Sequence, residues 1–287
     1  MTLPADHRDA PLLQRLAEAV YAACGGKAAF VEGVPALFRQ SFDEVIDAPR
    51  TGRFTIEQTE KTEKTYLGTK IEILLRNFLG LPKGQKLDLL VDGAEVDIKN
   101  TMGRNWMIPK ESLGHPALLL RADETAARCD IGLIAVKEQY LTPGKNQDSK
   151  RSVSAAGMGN VHWLIADHPY PPNFWTVLPA AQREEILRAG AGSARVAKLF
   201  ELLQRRPVSR SQIQALAQQH DYKKRIRRNG GARDILAPMG IAVLWGQNDK
   251  ALIAELGLGA VGNDQFVSIT PNSEAEAALL RRAGHID

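Results

Sequence analysis

The sequence has little cysteine and no long apolar run. Its two cysteines, Cys24 and Cys129, have no CxxC partner, which excludes a disulfide framework, a thiolate zinc site and a thioredoxin-type motif. The longest apolar run, residues 131–136, is far shorter than the ~20 residues of a membrane helix. The first residues lack the cationic start and apolar stretch of a secretory signal. These absences predict a soluble, cytoplasmic protein with no membrane partner.

The chain also lacks a strong charge excess and several common catalytic motifs. Lys and Arg number 37 against 33 Asp and Glu, a net charge of +4, so the distribution of charge is more informative than its sum. The six histidines have no zinc-ligand spacing. Gly157-x-Gly159 and Gly190-x-Gly192 lack the rest of a dinucleotide fingerprint, and no serine or cysteine lies in a nucleophile elbow.

The first half of the sequence has the pattern of an α/β domain. Apolar residues at helical spacing predict a helix over 67–79, ended by glycine and proline. Asp92-Gly93 lies between two alternating runs, 86–91 and 94–100, a strong hairpin signal. Short apolar runs at 117–120 and 131–136 predict buried strands. Together these elements predict a mixed sheet with flanking helices.

The second half changes character near residue 169. Residues 140–195 are rich in Gly, Pro, Ser and Asn and have little periodicity. Short helices are predicted from residue 194 on, one of them beginning at the capping box Ser209–Gln212. A turn at His220–Asp221, a basic segment and a strand over 241–245 follow, the order of a winged helix-turn-helix. The predicted division is a first domain over 1–168, a linker over 169–194 and a winged-helix domain over 195–287.

The hairpin brings two carboxylates together. If Asp92-Gly93 forms a two-residue turn, the numbers of opposed residues sum to 185, so Asp88 lies opposite Asp97, with Cβ atoms roughly 4.5–5.5 Å apart. Period-two alternation places Lys99 on the same face, beside Glu95. Like charges at this separation destabilise a bare hairpin, so a compensating cation is expected.

A divalent metal ion is the expected compensation. Mg²⁺ takes oxygen ligands, usually one or two carboxylates completed by water and phosphate, and a neighbouring lysine can orient water and offset phosphate charge. The spacing Asp88-x8-Asp97-x-Lys99 is typical of PD-(D/E)xK nucleases, with Glu72 on the preceding helix as the third acidic group. The alternative is an exposed strand with an ordinary charge pair, because D-x-K triplets are common.

The basic segment 223–233 predicts contact with DNA. Its cations are opposed locally only by Asp221 and Asp234, and such clustering beside a helix-turn-helix pattern favours a nucleic-acid partner over a solvated helix face. Its six cations are Lys223, Lys224, Arg225, Arg227, Arg228 and Arg233.

Several segments of the chain resemble the NaeI family of type IIE restriction endonucleases. They are RTGRF at 50–54, KTEKTYLGTKIEI at 61–73, EVDIK at 95–99, WMIPKESLGH at 106–115 and KKRIRRNGGARDIL at 223–236. The resemblance implies a restriction-endonuclease core followed by a domain similar to the DNA-binding domain of the catabolite activator protein. It also places Glu72, Asp88, Asp97 and Lys99 at the catalytic positions, the three acids binding metal, and adds Arg53 to the DNA-binding residues.

The resemblance further implies how such an enzyme works. A homodimer would cut double-stranded DNA with Mg²⁺, or with Mn²⁺ in its place, leaving 5′-phosphate and 3′-hydroxyl ends. A second DNA site would act as activator, and a cognate methyltransferase would be the genetic partner. The family's best-known target, GCCGGC, is the site the resemblance suggests. Two alternatives stay open: a mismatch- or modification-dependent nicking nuclease, and a non-catalytic DNA-binding regulator on a nuclease fold.

Overall fold

The chain forms two compact units. The structure, a computed structural model, describes residues 3–4, 6–218 and 221–286. The first unit comprises residues 1–45 and 59–173, and the second comprises residues 46–58 and 174–287. No helix in the described part of the chain is long and apolar enough to cross a membrane.

The first unit is a mixed α/β structure, as predicted. Its helices are α1 (Ala10–Ala23), α2 (Lys27–Ile46, which continues one residue into the second unit), α4 (Lys61–Leu79) and α5 (Ala155–Met158). Its strands are β1 (Leu89–Val91), β2 (Ala94–Thr101), β3 (Met107–Ile108), β4 (Pro116–Asp123), β5 (Arg128–Ala135), β6 (Arg151–Ser152) and β7 (His162–Pro169). Five strands form one sheet in the order β1-β2-β4-β5-β7. Only β2 and β4 run parallel, and the other pairs are antiparallel.

Helix α4 is longer than the pattern over 67–79 predicts. It begins at Lys61, because the Glu63 carboxylate accepts a hydrogen bond (2.8 Å) from the Glu60 N–H at the helix start and so satisfies a backbone group that the first turn cannot. Its buried stripe is Leu67, Ile71, Leu75 and Leu79. Gly80 ends it with φ of 62°, the left-handed conformation that glycine adopts without strain.

Strand β1 is shorter than predicted. The pattern predicts a strand over 86–91, but β1 covers only Leu89–Val91. The N–H groups of Gln85 and Leu87 donate instead to the Glu95 carboxylate, at 2.7 and 2.9 Å. These two backbone N–H groups therefore bond to a side chain of β2 rather than to its backbone.

The second unit combines short helices with a three-stranded antiparallel sheet. Its helices are α3 (Ala48–Thr51), α6 (Ala180–Arg188), α7 (Ser193–Leu202), α8 (Arg210–Ala217), α9 (Tyr222–Ile226), α10 (Ala232–Leu236), α11 (Lys250–Glu255) and α12 (Glu274–Arg282). Its strands are β8 (Val208–Ser209), β9 (Ala242–Trp245) and β10 (Gln265–Ile269), in the order β8-β10-β9. The predicted capping box is confirmed, since Ser209 and Gln212 exchange side-chain and backbone hydrogen bonds at the start of α8.

The two units do not follow the predicted boundaries residue for residue. Residues 46–58 belong to the second unit, where Phe54 packs against Trp175 with ring centroids 5.8 Å apart. The segment predicted as a linker, 169–194, contains α6, and Glu185 of that helix pairs with Lys198 of α7 at 3.3 Å. His220 of the predicted turn lies outside the described residues. The roles assigned to the domains stay predictions.

Candidate active site

The β1–β2 hairpin has the predicted register. Asp92 and Gly93 have φ of 47° and 75°, as a type I′ turn requires. The pairs Leu89–Val96, Leu90–Glu95 and Val91–Ala94 face each other, which confirms the register deduced from the turn. Asp88 is the residue immediately before β1.

Two aspartates and a lysine meet beside this hairpin. Lys99 Nζ lies 2.6 Å from Asp97 Oδ1 and 3.9 Å from Asp88 Oδ2. Asp88 Oδ2 also accepts a hydrogen bond of 2.8 Å from the Ile98 N–H. The Asp97 side chain is only 4% exposed, whereas those of Asp88 and Lys99 are each 24% exposed. Within the cluster, Asp97 is therefore buried, whereas Asp88 and Lys99 are partly accessible to solvent.

The neighbouring strand fixes the face on which Asp97 and Lys99 lie. In the parallel β2–β4 pair, Asp97 is opposite Ala117 and Lys99 is opposite Leu119. Ala117 and Leu119 belong to a buried apolar cluster that includes Trp106. Residues opposite each other in a sheet share a face, so the charged cluster lies beside an apolar core, which limits access of water to Asp97.

A buried serine completes the Asp97 environment. Ser112, at the end of a short 3₁₀ helix over Lys110–Ser112, is fully buried, and its hydroxyl donates to Asp97 Oδ2. Both Asp97 oxygens therefore have a donor, Lys99 on one side and Ser112 on the other. Sequence reasoning did not single out Ser112, and its only signal was its place in the segment 106–115.

The surroundings of Asp88 raise the pKa of its carboxyl group. Burial is the largest cause and the hydrogen bond with Asp97 the next, and together with the other groups around it they raise the pKa of Asp88 to about 6. The Ile98 N–H lowers the pKa, whereas the charges of Glu72 and Asp97 raise it. A raised carboxyl pKa at the surface of a cluster of acids is typical of a functional site that binds a cation.

Glu72 and Glu95 have different places in this arrangement. Glu72 lies on α4 with its carboxylate 3.4 Å from Arg76 Nη1, and it is near enough to act on the pKa of Asp88. The described residues contain no group of three or more His, Cys, Asp or Glu side chains that could hold one ion. The close pair is therefore Asp88 with Asp97. Glu95 binds the backbone before β1, which holds the segment leading to Asp88.

The predicted DNA-binding residues all belong to the second unit and differ in exposure. The exposed ones are Lys223, Lys224, Arg227 and Arg228, and the half-buried ones are Arg53, Arg225 and Arg233. Lys223 Nζ lies 5.0 Å from the Trp245 ring centroid, a cation–π distance. Arg233 Nη2 donates to the Val243 carbonyl at 2.7 Å. The basic segment thus presents some cations to solvent and turns Arg233 inward.

The mixed sheet, the paired aspartates and the adjacent lysine are consistent with a restriction-endonuclease-like nuclease core. Residues 31–278 match the family model described as Restriction endonuclease NaeI. The chain is also 36% identical, over 251 residues, to a protein from Lentzea aerocolonigenes named Type II restriction enzyme NaeI. That match covers 84% of this chain and 79% of the relative.

The chain therefore belongs to the NaeI restriction endonuclease family. As a member of that family it is a site-specific deoxyribonuclease, so the expectation drawn from the sequence resemblance is confirmed.

Proposed function

We propose that the protein is a Mg²⁺-dependent type IIE restriction endonuclease that cuts both strands of DNA, leaving 5′-phosphate and 3′-hydroxyl ends. The observation that supports this most directly is the convergence of Asp88, Asp97 and Lys99 beside one hairpin. The second unit, with its exposed basic segment, acts in this proposal as a winged-helix domain that binds an activating second DNA site. The functional molecule is a homodimer, and a cognate methyltransferase protects the host's own sites.

The donor set fits a divalent cation. Mg²⁺ is commonly held by one or two carboxylates and completed by water and phosphate oxygens, so the pair Asp88 and Asp97 suffices, with Glu72 as a nearby further acid. The pKa of Asp88 is raised by burial and by its acidic neighbours, so a bound cation would stabilise its ionised carboxylate. When bound, such an ion supplies Lewis-acid stabilisation of phosphate charge; Mn²⁺, also suited to oxygen ligands, would substitute.

The protein's own groups have separate tasks in this mechanism. Ser112 and Lys99 fix the Asp97 carboxylate, because each donates to one of its oxygens. Lys99 Nζ also lies near Asp88, so its positive charge can orient the attacking water and offset charge that develops on the phosphate. The apolar cluster beneath Asp97 lowers the local dielectric constant and strengthens these interactions.

The proposed activity has a direct test. The full chain is incubated with a mixed-sequence DNA library, methylated or unmethylated, with Mg²⁺ or with a chelator, and the ends are sequenced. We expect cuts in both strands at one short sequence, with 5′-phosphate ends, only when Mg²⁺ is present. Single-strand nicks at mismatches or only on methylated DNA would instead support a nicking or modification-dependent nuclease.

The requirement for an activating site has its own readout in the same system. Plasmids carrying one or two copies of the sequence found in the library differ only in that copy number. We expect the two-copy plasmid to be cut faster, and we expect a short duplex carrying the site to accelerate cutting of the one-copy plasmid. Equal rates under all three conditions would contradict the type IIE assignment while leaving the nuclease assignment in place.

Ser112→Ala should reduce cleavage about tenfold and raise the Mg²⁺ concentration needed for half-maximal rate. Removing the hydroxyl leaves Asp97 Oδ2 without its donor, at a cost of about 1–3 kcal/mol for a buried group, and lets the carboxylate rotate. The measurement is the cleavage rate as a function of Mg²⁺ concentration, with thermal unfolding of the same samples.

Ser41→Ala is the matched control for that variant. Ser41 is equally buried in the same unit, but its hydroxyl donates at 2.8 Å to the Leu37 carbonyl of its own helix. We expect it to leave the Mg²⁺ dependence unchanged. If Ser112→Ala also retains the wild-type Mg²⁺ dependence, Ser112 only packs the core.

A further inference from the structure

A polar pocket lies within the second unit, and two arginines of the basic segment, Arg228 and Arg233, line it. Its volume is about 270 Å³, slightly below the ~300–1,000 Å³ of typical small-molecule sites. It is lined by Arg228, Arg233, Ala237, Ile241, Val243, Gly284 and His285. Two guanidinium groups and an imidazole therefore share one small space with apolar walls.

The guanidinium group of Arg233 has only part of its hydrogen-bonding capacity used in this pocket. Its Nη2 donates to the Val243 carbonyl at 2.7 Å, but its buried Nε–H has no hydrogen-bond partner in the described part of the chain. Burial lowers the pKa of Arg233, the charge of Asp249 opposes that shift, and the nearby positive charge of Arg228 adds to it. A half-buried guanidinium beside a second one is unfavourable unless an anion joins them.

Asp249, whose charge acts on Arg233, has other hydrogen-bond partners. Asp249 Oδ2 accepts the Trp245 N–H at 2.7 Å, and Oδ1 lies 3.2 Å from His285 Nε2. Arg228 is held at the pocket by a 2.7 Å hydrogen bond from its Nη2 to the Gly284 carbonyl. The residues that line the pocket include two arginines and no acid, so the pocket is positively charged.

We propose that this pocket binds a phosphate-bearing anion through Arg228 and Arg233, with His285 as a further donor. Guanidinium groups bind phosphate oxygens in pairs of parallel hydrogen bonds, and the apolar wall formed by Ala237, Ile241 and Val243 excludes water and strengthens the attraction. The volume suits one phosphate group with part of the molecule that carries it. That phosphate comes either from a DNA backbone or from a small phosphorylated compound.

The test of this site uses inorganic phosphate as the probe and does not involve cleavage. Thermal unfolding of the full chain is measured in phosphate and in sodium chloride of equal ionic strength. At a phosphate concentration ten times its dissociation constant, we expect the unfolding temperature of the second unit to rise by about 5 °C. Arg228→Gln and Arg233→Gln should both abolish this shift.

Arg188→Gln is the control, because it makes the same substitution outside the pocket. Arg188 lies on α6, its side chain is 81% exposed, and it does not line the pocket. It should keep the full shift. Arg228 is exposed, so Arg228→Gln remains informative even if Arg233→Gln fails to fold. An absent shift in the wild type, or one that survives Arg228→Gln, overturns the proposal.

A second measurement identifies the source of the phosphate. Binding of a fluorescent DNA duplex is followed by anisotropy with and without inorganic phosphate at constant ionic strength. If phosphate competes with the duplex and Arg228→Gln weakens duplex binding, the occupant is a DNA backbone phosphate. If the thermal shift persists with the duplex bound, it is a small phosphorylated compound. Either result supports the anion site, and neither depends on the proposed nuclease chemistry.

Discussion

Asp97→Asn should lower the rate of DNA cleavage by roughly 10³-fold while the protein stays folded and still binds DNA. Asp97 is the most buried member of the cluster, and it contacts both Lys99 and Ser112. The amide has the same shape but no charge, so it loses its attraction for a divalent cation and for Lys99. It also removes the like charge facing Asp88, and for that reason we expect little loss of stability.

The measurement is plasmid cleavage at saturating Mg²⁺, with duplex binding and thermal unfolding of the same preparation. Asp92→Asn is the matched control in the same hairpin. Asp92 is half exposed, pairs with Arg15 at the surface, and occupies a type I′ position in which Asn is favoured. We expect wild-type cleavage from Asp92→Asn. Equal cleavage by both variants would falsify the assignment of Asp97 to the active site.

Neutralising Lys223, Lys224 and Arg227 together should weaken duplex binding by about 10²–10³-fold and reduce its salt dependence. These cations are exposed on or beside α9. Each lost phosphate contact makes the negative slope of log affinity against log salt shallower by ~0.9. The triple glutamine variant should therefore have a slope about 2.7 smaller in magnitude than that of the wild type. A change of this kind is expected at every DNA sequence, because phosphate contacts carry no sequence information.

The matched control removes the same charge elsewhere in the second unit. Arg188, Arg281 and Arg282 are surface residues paired with Glu184, Glu274 and Glu255. Their triple glutamine variant should shift the slope by far less, since they lie outside the basic segment. The experiment is duplex binding over a series of salt concentrations. Identical slopes for the two triple variants would show that net charge, and not the basic segment, governs binding.

Local signals in the sequence predicted the hairpin well. A two-residue Asp-Gly turn allows one register, because the turn geometry fixes which residues are opposed. The register then follows by counting outward, and the structure pairs the residues as counted. The same count placed Asp88 opposite Asp97, and the structure joins the two through Lys99.

Long-range contacts explain what the sequence pattern missed. Strand β7, His162–Pro169, pairs with β5 at the edge of the sheet, but its neighbourhood is rich in Gly and Pro and carries no clear alternation. Residues 46–58 belong to the second unit because aromatic packing, as between Phe54 and Trp175, involves residues more than a hundred positions apart. Such pairings leave no trace in local periodicity.

The sequence by itself determined the hairpin, the spacing of Asp88, Asp97 and Lys99, and the family, because these depend on residues close together or on motifs carried in the chain. Only the tertiary structure placed Ser112 on Asp97 and turned Arg233 inward to its pocket. The physical reason is the same in both cases. A buried polar group must find a partner, and which residue supplies it depends on the packing of segments that the sequence pattern does not connect.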